Sequence, residues 1–200
     1  MGDSGLDYSH YFWQGDKVRL RPVRTEDAEV KFLGLLDSPS RSDLQLGIEL
    51  PTTLEALRSS LEKWLDCQES EGAILFAVET LGGEYVGGVS LHSMDRKNGV
   101  FSFGVAIDAP HRSKGYAKDA VAILLRYGFQ ERRFQKCNSA TVHTNSASIA
   151  LHTSLGFTEE GRVRRRWFYN GQYHDDVLFG MTAEEFEARW KGECDSGSNP

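Results

Sequence analysis

Apolar and polar positions along this chain follow two periods, two and about 3.6, which trade places repeatedly. Val18-Arg-Leu-Arg21 alternates in twos and predicts a strand. Thr25-Glu-Asp27 then offers an N-cap hydroxyl followed by acids, the signature of a helix start. Leu54, Leu57, Leu61, Trp64 and Leu65 form one stripe at helical spacing. Ile74 to Glu79 and Tyr85 to Leu91 read as strands joined through Gly82-Gly83. Phe101, Phe103, Val105 and Ile107 alternate through a further strand, and the apolar run from Tyr116 to Phe129 predicts a deeply buried helix. Ser139 to His143 predicts a short strand and Ser146 to Ser154 a short helix. Val163 to Tyr169 and Gln172 to Met181 flank Asn170-Gly171, a pair suited to a type I′ turn, so they predict a hairpin. Glu184 to Trp190 closes with a helix. Strands interleaved with helical crossovers give an α/β or α+β sheet protein.

Composition narrows this picture. The chain has 200 residues, 40% of them hydrophobic and 26% charged, enough for one domain with short extensions. The segment 1–15, with Tyr8, Tyr11, Phe12 and Trp13, reads as an aromatic extension that packs back onto the domain or a partner subunit. Residues 16–191 form the domain, and the glycine-rich, polar 192–200 a disordered tail. With 23 basic and 29 acidic residues the net charge is −6, against a nucleic-acid partner. Apolar runs are short, so no membrane span is expected, and no secretory signal opens the chain. Cys67, Cys137 and Cys194 form neither a disulfide framework nor a metal motif; they suit a cytoplasmic protein without metal. Cys137 would be the thiol to consider as a nucleophile, but no neighbouring residue marks it as activated.

Two segments carry chemistry. In Val105-Ala-Ile-Asp-Ala-Pro-His-Arg-Ser-Lys-Gly-Tyr-Ala117 a strand ends, a loop carries Arg112, Ser113, Lys114 and Gly115, and a helix starts at Tyr116 and Ala117. Unpaired N–H groups at a helix start attract anions, glycine permits close approach, and two cations add charge. This is the chemistry of a pyrophosphate cradle or, equally, of an ordinary basic turn. It is neither a Walker A loop nor a dinucleotide fingerprint, because Tyr116 follows Gly115 and only one glycine is present. In the second segment, Asn145 sits where a strand gives way to a helix, a natural N-cap; Ser148 and His152 follow on that helix, and Gly156-Phe157 closes it.

The pair of segments resembles the GCN5-related N-acetyltransferase (GNAT) superfamily. Arg112-Ser-Lys-Gly115-Tyr-Ala117 is similar to its Gln/Arg-x-x-Gly-x-Gly/Ala loop, and Asn145-x-x-Ser148-x-x-Leu151-His152-x-x-x-Gly156-Phe157 to its Asn-x-x-Ala-x-x-Leu-Tyr-x-x-x-Gly-Phe segment. Val18 to Asp27 and the closing hairpin with Asn170-Gly171 and Asp175 resemble the branch acting on ribosomal-protein N-termini, polyamines and small amines. The likeness covers residues 16 to 190, nearly the whole chain.

The resemblance implies a central mixed, mostly antiparallel, twisted sheet with two splayed parallel strands, flanked by helices. Acetyl-CoA would lie between Phe101–Ile107 and Ser139–His143, its pantetheine along Val105, Ala106 and Ile107 and its pyrophosphate on Arg112, Ser113, Lys114, Gly115, Tyr116 and Ala117. Asn145 and Ser148 would contact the pantetheine arm, and an N–H near Val105 would polarise the thioester carbonyl. Where the family often has a tyrosine acid this chain has His152, and where relatives often carry a glutamate base it has Ser102. His92 and Asp175, then Glu79 and Asp95, are the other titratable candidates, and a base acting through ordered water needs none of them. The implied activity is acetyl-CoA-dependent N-acetylation of a primary amine, on a small molecule or a protein N-terminus. The alternatives are an acyl-CoA-binding sensor that has lost catalysis, and a plain structural domain. The aromatic N-terminal segment and strand-rich C-terminal half would support a homodimer. The loop from Asp37 to Thr53, with Leu44, Leu46, Ile48 and Leu50, would help choose the acceptor. Arg162-Val-Arg-Arg-Arg166, read as an alternating strand, puts Arg165 opposite the other three on a solvated face.

Overall fold

The computed structural model describes residues 7, 8, 10–36, 50–67 and 72–194. Residues 37–49 of the acceptor loop expected from Asp37 to Thr53, the first six residues and the tail residues 195–200 lie outside the described residues. The described elements are β1 (Val18–Pro22), α1 (Ala28–Leu35), α2 (Leu54–Cys67), β2 (Ile74–Thr80), β3 (Tyr85–Asp95), β4 (Val100–Ile107), α3 (Tyr116–Arg126), β5 (Lys136–Val142), α4 (Ser146–Leu155), β6 (Thr158–Tyr169), β7 (Gln172–Thr182) and α5 (Ala183–Cys194). No helix among the described residues is long and apolar enough to cross a membrane.

The strands form one sheet in the order β1-β2-β3-β4-β5-β7-β6. Every pairing is antiparallel except β4 with β5, which run parallel. Neighbouring residues of one strand point to opposite faces, so a sheet needs cover on both sides. Val78 and Ala77 show this directly. Val78 joins the main core with Leu91, Phe101, Phe103 and the buried face of α3, whereas Ala77 joins a smaller cluster with Ala28 of α1 and Leu61 of α2. Helices α3 and α1/α2 therefore cover opposite faces.

Local chemistry moved several boundaries. Thr25 is not the N-cap: Arg24 takes that position, and its N–H donates to the Asp27 carboxylate (2.8 Å). Asp27 is held there because it also accepts both Arg21 guanidinium N–H groups, at 2.8 and 2.9 Å. Helix α3 gives way at Tyr127 to a wider turn through Glu131, where Gly128 lies against the Phe101 ring with no room for a Cβ. Strand β6 does not alternate through its arginines. It bulges between Val163 and Trp167, Arg165 adopts φ 55°, and all four arginines are exposed. Helix α5 runs four residues beyond Trp190, so the first three residues of the expected tail are helical.

The N-terminal aromatics pack back on the domain. Trp13 lies against Phe76 and Tyr127, the Arg19 guanidinium stacks over Tyr8 at 3.8 Å, and the Leu20 N–H donates to the Trp13 carbonyl.

Candidate active site

The parallel ladder between β4 and β5 is short. It pairs Val100 with Lys136, Phe101 with Cys137 and Ser102 with Asn138, and ends there although both strands continue. Beyond that point β4 stays bonded to β3, through Val105 with Val89, Ala106 with Gly88 and Ile107 with Gly87, while β5 stays bonded to β7. The strands splay, and the main chain of 103–107 facing β5 has no ladder partner, although buried backbone polar groups demand one. An extended ligand with amide groups can supply it.

Strand β4 feeds a tight loop. Arg112 Nε donates to the Ile107 carbonyl (3.0 Å), folding the loop back on the strand end. Ser113 at φ 62° and Gly115 at φ 84° both adopt left-handed conformations immediately before α3. Successive turns of this kind aim N–H groups into a concavity that binds anions, and the free N–H groups of a helix start add to it. Gly115 is favoured by its φ, and a Cβ there would also displace the end of the Lys17 side chain, whose Nζ would lie 2.8 Å away. A carbonyl-and-amide edge leading to a cationic helix N-terminus fits a chain with amides at one end and a diphosphate at the other.

At the root of the splay sits His152, 3% exposed. Its ring stacks on Phe179 (4.6 Å, 16°) and Phe103 (5.5 Å), with Phe157 edge-on. Burial pushes its pKa below the usual 6.5, opposed only by its hydrogen bond to Ser148, so the ring is neutral at pH 7. The Nδ1 lies 2.7 Å from the Ser148 carbonyl and the Nε2 2.8 Å from the Ser139 hydroxyl. A carbonyl only accepts, so Nδ1 carries the proton and Nε2 accepts from Ser139.

The other candidates are dispersed. Asn145 caps α4, its side chain accepting from the Ser148 N–H (2.9 Å). His92 lies on the opposite face of the sheet from His152: its neighbour Leu91 points into the α3 side, and a Cβ on Gly104 would lie 3.8 Å from His92 Nε2. It pairs in register with Ser102 and is also held neutral by burial. Asp175 accepts from the Arg165 N–H (2.9 Å) and closes the β6 bulge. Glu79 is buried and ion-paired to Arg19 and Arg21, and Asp95 accepts from the N–H groups of Lys97 and Asn98 in a turn. Cys137 is buried in the core, where burial raises its pKa and suppresses the thiolate. Among the described residues no cluster of three His, Cys, Asp or Glu could hold a metal ion.

Three residues at this site escaped the sequence reading. Lys17 Nζ donates to the Lys114 carbonyl (3.0 Å), bringing a third cation to the loop. Asp119 in the first turn of α3 accepts from the N–H groups of Asp16, Lys17 and Val18. Ser139 partners His152. The first two contacts span about a hundred positions, and no local pattern announces them.

A splayed parallel pair, a loop of left-handed turns leading into the following helix and a polar cluster at the root of the splay lie together at one end of the sheet. The chain belongs to the GNAT acetyltransferase domain family, whose model matches residues 17–158, and it is an N-acetyltransferase. It is 35% identical to the prophage-derived N-acetyltransferase YokL of Bacillus subtilis over 88% of this chain and 96% of that one. It is 27% identical to YdaF of the same organism, a protein named for ribosomal N-acetylation, over 89% of this chain and 96% of the relative. The fold matches the spermidine N-acetyltransferase of Vibrio cholerae, solved with CoA and spermine, at a TM-score of 0.75 and 20% identity over 84% and 97% of the two chains.

Proposed function

We propose that the protein transfers an acetyl group from acetyl-CoA to a primary amine by direct attack within a ternary complex. The observation that carries this reading is the end of the β4–β5 ladder at Ser102–Asn138, with the loop 112–117 one element further on. The pantetheine amides would take main-chain groups of β4 between Val105 and Ile107 that have no partner on β5, and an N–H there would polarise the thioester carbonyl. The diphosphate would sit on the N–H groups from Arg112 to Ala117, with Arg112, Lys114 and Lys17 around it. Asn145 and Ser148 at the start of α4 would border the pantetheine arm.

The acceptor arrives as an ammonium with pKa near ~10.4 and must lose a proton before attack. His92 is the base we assign. It stands beside Gly104 on the face that carries α1 and α2, opposite His152, and its ring is neutral at pH 7. The relatives named for ribosomal and spermidine acetylation bracket the acceptor as a protein amine or a polyamine. The net charge of −6 favours a cationic one.

Two measurements test the reading. Acetyl-CoA at saturation should raise the melting temperature, and no shift would remove the cofactor from the argument. A thiol-release assay across spermidine, spermine, simple alkylamines and peptides with free N-termini should then find an acceptor. Binding without turnover across that panel would favour an acyl-CoA sensor instead.

A further inference from the structure

We infer that Ser139 and His152 act together as a proton relay at the root of the splay, carrying a proton from the attacking nitrogen to the departing sulfur. The inference deepens the acetyl-transfer reading and rests on it. It starts from hydrogen-bond direction. With Nδ1–H committed to the Ser148 carbonyl, the neutral His152 can only accept at Nε2, so the Ser139 hydrogen points at the ring. The Ser139 oxygen then has lone pairs free on its other side. Ser139 is one position past the last rung of the β4–β5 ladder and half-buried, whereas His152 behind it is sealed. Of the two, only the hydroxyl is placed to reach a group lying between the strands.

The proton balance closes without a further residue. The neutral amine attacks the thioester carbon, a C–N bond forms, and the nitrogen carries one proton too many. That proton passes to Ser139 Oγ as the Ser139 proton passes to His152 Nε2, leaving an imidazolium. The C–S bond breaks and its electron pair stays on sulfur. The imidazolium returns the proton through Ser139 to the thiolate, giving amide and free thiol. The elements packed on His152 present Phe103, Phe157, Phe179 and the Ser139 hydroxyl, none of them charged. Only the Ser148 carbonyl favours the imidazolium once formed, and no carboxylate faces it, so it gives its proton up readily. The histidine occupies the family's tyrosine position but is too deeply buried to act alone, and the serine completes its reach.

The test uses the full-length protein with acetyl-CoA and the best acceptor from the amine panel. Ser139→Ala should lower kcat about 100-fold and leave the KM for acetyl-CoA unchanged. It should also remove the His152 contribution from the acidic limb of the kcat–pH profile, leaving only that of His92, although His152 is still present. Ser139→Thr, which keeps a hydroxyl, should restore most of the rate, and Ser139→Ala/His152→Gln should be no slower than the slower single variant. Thermal shift with CoA checks that each variant folds and binds. A Ser139→Ala enzyme with wild-type kcat and a pH profile superimposable on the wild type overturns the relay while leaving acetyl transfer standing. Absence of CoA stabilisation in the wild type strikes the underlying reading instead. A readout independent of acceptor is 15N NMR of His152: CoA should shift Nε2 in the wild type and not in Ser139→Ala, and an equal shift in both, or none in the wild type, counts against the relay.

Discussion

Two buried polar clusters face different fates in this molecule. In the first, Arg19, Arg21, Glu79 and Asp27 form a lattice in which the charges answer one another at 2.7–2.9 Å. In the second, His152 is buried without any charged partner, hydrogen-bonded to a carbonyl on one side and to Ser139 on the other. The first cluster closes on itself and joins β1, β2 and the start of α1. The second is left open at one end, because the outer side of the Ser139 hydroxyl is not consumed. A closed ionic cluster specifies structure, whereas an open neutral one retains a site that a reactant can complete.

The contrast predicts where each substitution should act. Glu79→Ala leaves two buried guanidinium groups short of a carboxylate and should cost about 3–5 kcal/mol of stability. Chemical denaturation would measure it, and turnover of the remaining folded enzyme should be normal. An equal loss of stability and kcat would erase the distinction between the clusters. Gly115→Val forces a branched residue into φ 84° beside Lys17 and should weaken CoA binding by at least about tenfold, at roughly 1–3 kcal/mol of strain. Calorimetry should show acetyl-pantetheine, which lacks the diphosphate, much less affected. Lys17→Met removes one loop cation and should weaken CoA binding by about tenfold, with a shallower salt dependence. Unchanged affinity would confine Lys17 to holding the Lys114 carbonyl.

The smallest effect is on stability against pH. His92 and His152 have folded pKa values below 6.5. Above that pH neither the folded nor the unfolded chain protonates them, and they are silent. As pH falls below 6.5 the unfolded chain binds protons that the fold resists, so stability falls until the folded groups titrate too. Melting temperatures between pH 7 and 5 should decline less for His92→Gln than for the wild type.

Much of the fold was legible because its signals are local. Period-two runs marked the strands, and Asn170-Gly171 marked the hairpin between β6 and β7. Val105 to Ala117 was legible because strand, turn and helix start are adjacent in the chain. What escaped has a common cause: the partner lies far away. Thr25 lost the cap to Arg24 because Asp27 was recruited by Arg21 across the strand end. The alternation of Arg162 to Arg166 failed because the Asp175 carboxylate captures the Arg165 N–H in a bulge. His152 was identified by its place in a motif, but the partner of its Nε2, Ser139, lies on another element.

The clamp between the N-terminal segment and α3 has a kinetic meaning as well. The loop at 112–117 is held by Lys17 across 97 positions, and Asp119 gathers N–H groups from 101 to 103 positions upstream. Contacts so distant along the chain close late in folding, since the entropy of a large loop is lost before they return anything. The segment around Lys17 thus waits for the middle of the chain before it finds its place. Cofactor competence should appear with the final phase of refolding, so capture of CoA would report the completed fold rather than the formation of its helices.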